Sequence, residues 1–175
     1  DPDLMLRTGD YLTMDGNGTP GALAQALSPL KKAPGRVLAC LGNHDHEAPE
    51  EVASAMAAAG VCLLVDDSTV VKTPTGPVQV VGADFTWSDR SARLAALCQE
   101  HPRIDNVFRL LLLHDPSMIN NLPPGQADLV LSGHTHGGQV GLVSLGLPLT
   151  MVSVLFRGVP DHGYWARGLE RLYVH

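Results

Sequence analysis

Residues 107–116 read VFRLLLLHDP. A short leucine-rich run that stops on a histidine has the pattern of a strand that delivers a polar side chain from its end. The same pattern recurs along the chain. Asp10 follows Leu4–Thr8, the triplet Asn43, His44 and Asp45 follows Arg36–Leu41, and His134 and His136 follow Leu129–Leu131. Gly9, Gly42 and Gly133 each stand one residue ahead of such a group, where a tight turn and a close backbone approach are easiest without a Cβ. In α/β sheets, sites form outside the carboxyl ends of strands, so four separate segments can meet in one crevice.

Working outward from these runs, further strands are expected at Val61–Val65, Thr69–Lys72, Val78–Val81, Leu149–Leu155 and Arg171–Val174. Helical spacing of apolar residues marks Ala22–Lys32, Pro49–Ala59 and Asp89–His101. The middle helix has the clearest ends: Pro49 suits a first turn, Glu50 and Glu51 complement its positive pole, and Gly60 can close it. Alternation of strands and helices predicts an α/β fold, with all 175 residues in one domain.

Composition narrows the function. Apolar residues are 45% and charged residues 17% of the chain, which argues for a packed core and against disorder or a coiled coil. Twelve basic residues against 18 acidic ones give a net charge of -6, so no cationic field gathers nucleic acid, and none is expected as a partner. An anionic substrate would have to be drawn by something else, and a metal ion is the obvious agent. Cys40, Cys62 and Cys98 form no CxxC pair and read as free thiols. No apolar run approaches the roughly 20 residues that span a bilayer, and no cleavable signal opens the chain. As written it is expected to be soluble, either cytoplasmic or peripheral to a membrane. Asp1 in place of methionine, and a strand-like Arg171–Val174 just before the last residue, lead us to expect truncation at both ends.

The strand-end residues offer imidazole, carboxylate and amide oxygen without thiolate, a set suited to Mn, Fe, Zn, Ni or Co. Each residue has a plainer reading. Asp10 and the Asn43–Asp45 segment could serve ordinary turns, His114 could be a core histidine, and His134 and His136 could be loop polar groups. It is the four motifs together that point to metal chemistry. His46, His101, His162 and His175 lie outside that pattern, and Phe85, Trp87 and Trp165 are expected to pack. Gly16–Gly21 reads GNGTPG and satisfies GxGxxG, but no apolar strand leads into it, so a loop over the cleft is expected instead of a dinucleotide site.

TGD at Thr8–Asp10, GNHD at Gly42–Asp45, LLLHDP at Leu111–Pro116 and GHTHGGQ at Gly133–Gln139 together resemble the calcineurin-like metallophosphoesterase family. The resemblance covers nearly the whole chain and implies an αββα sandwich of two mixed sheets flanked by helices. It implies that Asp10 bridges two divalent ions, that Asn43, His114 and His134 complete one site, and that His136 belongs to the other. His44 matches the histidine that contacts phosphate and assists the leaving group, with Asn43 also facing the substrate. The implied reaction is hydrolysis of a phosphomonoester or phosphodiester by metal-activated water, on a phosphorylated small molecule or a lipid-linked phosphate. Membrane association would come through segments outside this sequence.

Two departures stand out. The family's first-strand D-x-H motif does not precede Asp10, leaving one ion site complete and the other short of two ligands, so that one ion is expected in this fragment where a complete domain holds two. Thr13 replaces the aspartate that orients the catalytic histidine, a task for which Asp15 and Asp45 are the candidates. A non-catalytic interaction module built on the same scaffold is the alternative reading.

Overall fold

The computed structural model describes residues 2–12, 21–142, 145, 147, 149–156 and 158–175. Thr13, Asp15 and the Gly16–Pro20 part of the glycine-rich stretch lie outside them.

Two sheets form the middle of the molecule. The smaller is wholly parallel, in the order β1 (Met5–Arg7), β2 (Val37–Ala39), β3 (Cys62–Leu63). The larger contains β4 (Asp67–Thr73), β5 (Gly76–Gly82), β6 (Phe108–Leu112), β7 (Leu129–Ser132), β8 (Gly163–Arg167) and β9 (Glu170–Val174). Its order is β4-β5-β6-β7-β9-β8, with β5, β6, β7 and β9 parallel and antiparallel hairpins at both edges.

Alternation of side chains along the strands assigns the layers. Leu38 and Cys40 face Leu64, Val80, Leu110 and Leu112 between the sheets. Their neighbours Val37, Ala39 and Leu41 turn the other way, onto α1 (Ala22–Leu27) and α2 (Pro49–Ala59), meeting Leu23, Leu27, Val52 and Met56. On the far side Val81, Leu111, Leu113 and Val130 pack against Leu94, Leu97 and Cys98 of α3 (Arg90–Glu100). The layers therefore run helix, sheet, sheet, helix.

α2 has the expected ends: Pro49 in its first turn and Gly60 at φ 72°, a left-handed geometry that glycine adopts without strain. α1 is shorter than Ala22–Lys32, because the chain tightens into a 3-10 turn at Ser28–Lys32, where Pro29 enters. The expected strand Leu149–Leu155 is corrected. Thr150 accepts the Ser153 backbone N–H and donates its own to Ser153 Oγ, and this capping box starts a short helix, α4 (Met151–Leu155). Among the described residues no helix is long and apolar enough to cross a membrane.

Candidate metal centre

Asp10 lies three residues past β1, Asn43 four past β2, His114 two past β6 and His134 two past β7. All four strands end on the same side, so the packing of the sheets brings the loops together. Asp10, His114 and His134 each present a ligand atom, all within 4.8 Å of one another.

His114 is the hub. It is 2% exposed, and its Nδ1 lies 2.5 Å from the carbonyl oxygen of Thr8. A carbonyl can only accept, so Nδ1 carries a proton and donates it, which turns Nε2 to the cluster. Nε2 is 3.1 Å from Asp10 Oδ2, 3.2 Å from Asn43 Oδ1 and 3.1 Å from His134 Nδ1. Of these atoms the ionised Asp10 oxygen and the Asn43 amide oxygen can only accept, so both turn lone pairs towards the centre. Converging lone pairs of this kind fit a cation, and the mixed oxygen and imidazole donors fit a divalent ion of the Mn, Fe, Co, Ni or Zn group.

The local electrostatics agree. Burial raises the Asp10 carboxyl, but the His114 ring and the His44 backbone N–H outweigh it and hold Asp10 below its ordinary pKa. Burial, then the neighbouring His114, pushes His134 below the usual imidazole value, so its nitrogen is free to ligate.

Two glycines permit this approach. A Cβ on Gly42 would stand 2.2 Å from Asp10 Oδ1, and one on Gly9 would stand 2.4 Å from Gly42 N and 2.7 Å from His114 Nδ1. Asp10 itself takes φ 58° and His134 φ 69°, left-handed positions that non-glycine residues hold only where their surroundings impose it.

For Asp10 a main source of that constraint is Asp45. Its carboxylate is fully buried and accepts the backbone N–H groups of Asp10 at 2.8 Å, Gly42 at 2.7 Å, Tyr11 at 2.7 Å and Leu12 at 3.4 Å. Burial raises its pKa against the pull of those donors. Asp45 thus ties the loop after β1 to the loop after β2. The carboxylate hydrogen-bonded to His44 belongs to Glu47, whose Oε1 lies 2.7 Å from His44 Nδ1 and raises the pKa of that imidazole. The i,i+3 spacing of His44 and Glu47 in the HDHE turn was the available signal.

His136 is not within the 4.8 Å cluster. It lines a cleft of about 330 Å³ together with Thr8, Asp10, His114, His134 and His175. The strand-end pattern would have found His175 too, since it directly follows β9 and contacts the Ser132 carbonyl. The aromatics divide: Phe85 packs at 6% exposure, as expected, whereas Trp87 is 72% exposed, because the turn after β5 carries it to the rim of the cluster.

A four-layer α/β scaffold with a cluster of oxygen and imidazole donors at its strand ends defines the class, an α/β domain with a candidate metal centre between its two sheets. The chain belongs to the calcineurin-like phosphoesterase family, whose sequence profile matches residues 1–138. It is 33% identical over 98% of its length to phosphodiesterase YaeI of Escherichia coli, covering 65% of that protein. It is 32% identical over 79% of its length to the metallophosphoesterase YkoQ of Bacillus subtilis, covering 51%, and 28% identical over 99% to YkuE of the same organism, covering 60%. The chain therefore spans less than two thirds of each of these relatives. Its fold is similar to that of the Thermus thermophilus sulfate thiohydrolase SoxB, with a TM-score of 0.59 at 16% identity, covering 98% of this chain and 33% of that one.

Proposed function

We propose that this chain carries the catalytic face of a phosphodiesterase that hydrolyses its substrate by attack of water on phosphorus. The observation that carries the reading is the meeting of Asp10 Oδ2, Asn43 Oδ1 and His134 Nδ1 around His114 Nε2 at 3.1–3.2 Å. A divalent ion held by these four residues would supply an acidified water and a positive charge facing the phosphoryl oxygens.

The protein's own groups do the rest. Thr8 and Phe85 fix the imidazoles, and Asp45 fixes the backbone that presents Asp10. Glu47 holds Nδ1 of His44, leaving Nε2 to transfer a proton. As the new bond from water oxygen to phosphorus forms and the ester bond breaks, that proton passes to the departing oxygen. His136, with Asp10, would contribute to the site of a second ion, for which this sequence lacks the D-x-H ligands. The relative named a phosphodiesterase favours a diester over a monoester, and both a phosphorylated small molecule and a lipid-linked phosphate fit this chemistry.

The test compares turnover of bis-p-nitrophenyl phosphate and p-nitrophenyl phosphate by Mn-loaded protein. The diester is expected to be the better substrate, and His44→Ala is expected to lose roughly 100-fold in kcat. Equal turnover by mutant and parent removes His44 from the mechanism.

A further inference from the structure

Trp87 stands beside the ligand cluster with 72% of its surface in water. Hydrophobicity alone would bury an indole, so its place at the rim has to come from the surrounding packing. Phe85 lies beneath it, with ring centroids 4.7 Å apart and planes at 85°, and the same Phe85 ring is 5.9 Å from both His114 and His134. The indole itself is 6.5 Å from the His134 ring.

The segment is braced on both sides. The Thr86 carbonyl accepts Arg90 Nε at 3.1 Å, and Arg90 pairs with Asp115, the residue after His114, at 2.8 Å. Thr86 Oγ1 bridges the Ser88 backbone, and Asp84 receives support from Asp66 through its N–H. Trp87 is thus an exposed aromatic face on a braced segment, beside the His134 ring of the candidate centre.

We propose that Trp87 is the platform for the organic group of the substrate, and that this group carries a planar aromatic or heteroaromatic ring joined to phosphorus through an ester oxygen. The inference rests on the phosphoesterase reading and adds a substrate class to it. A phosphoryl group at the Asp10, Asn43, His114 and His134 cluster places its substituent beside the indole. Ring stacking there removes the two facing surfaces, one of the indole and one of the substrate ring, from water, a gain open to a flat π system and denied to a small alkyl group.

The experiment measures calorimetric affinities of Mn-loaded protein for phenylphosphonate and methylphosphonate, a pair that share the anion, differ in the ring and are not esters. The parent is expected to bind phenylphosphonate about tenfold more tightly. Trp87→Ala should abolish that preference while leaving methylphosphonate affinity unchanged, and Trp87→Phe should retain most of it. Equal affinities in the parent, a preference that survives Trp87→Ala, or parallel weakening of both ligands would each overturn the platform. Binding of neither phosphonate to the parent would instead sink the phosphoesterase reading on which it rests.

Discussion

The smaller sheet supplies oxygen to the centre and the larger sheet supplies nitrogen. Asp10 and Asn43 ride on loops after β1 and β2, which one buried carboxylate, Asp45, ties together through backbone N–H groups. His114 and His134 come from β6 and β7 and are held by a backbone carbonyl of the opposite sheet and by the ring of Phe85. The oxygen side thus depends on two side chains, Asp45 and the Tyr11 hydroxyl that accepts the Gly9 N–H and donates to the Cys40 carbonyl, while the nitrogen side depends on packing and on the main chain. Point mutations should therefore damage the two halves unequally.

The sharpest way to break this contrast is Asp45→Ala. It leaves four backbone donors without their acceptor, and we expect a loss of about 3–5 kcal/mol in denaturant unfolding. A loss below about 1 kcal/mol would mean that the loops support themselves. Gly42→Ala comes next: the added methyl must displace Asp10, and calorimetry should show Mn affinity reduced roughly 10- to 100-fold, with far-UV dichroism unchanged.

A pH titration of metal-free protein probes the nitrogen side. His134 is depressed in the folded state, so the unfolded chain takes up its proton first, near pH 6.5. Stability should fall as pH drops through that value, by at most ~1.4 kcal/mol per unit, and level off once the folded ring protonates. His134→Gln should flatten that limb; an unchanged slope would assign it elsewhere. The smallest effect is at Glu47→Gln, which should lower the NMR titration midpoint of His44, because the carboxylate that raises it is gone. The alkaline limb of phosphodiester hydrolysis should move to lower pH with it.

Much of this arrangement is legible in the sequence. Apolar runs ending in Asp10, Asn43, His114 and His134 announce both the strands and the crevice, because a run long enough to cross a sheet must release its next polar residue at the sheet's end. What stays hidden depends on partners distant in sequence or on short hydrogen bonds. The Leu149–Leu155 run has strand-like side chains, but the Thr150 and Ser153 cap determines its conformation locally. β8, in the Gly163–Arg167 segment, shows no apolar alternation, since it is an edge strand defined by pairing with β9. Asp45 and Trp87 have local neighbourhoods like any turn's. Only the positions of Tyr11, Gly42 and Phe85 in space distinguish a clamp from a turn and a platform from a core residue.

The hydrogen bond from His114 to the Thr8 carbonyl joins positions 106 residues apart. At ribosomal speeds of about 5–20 residues per second, the loop carrying Asp10 waits roughly 5–20 s before the imidazole that completes it has been made. The centre is consequently assembled only after β7 has been made, and a cation bound there would report that the segments from β1 to β7 have come together.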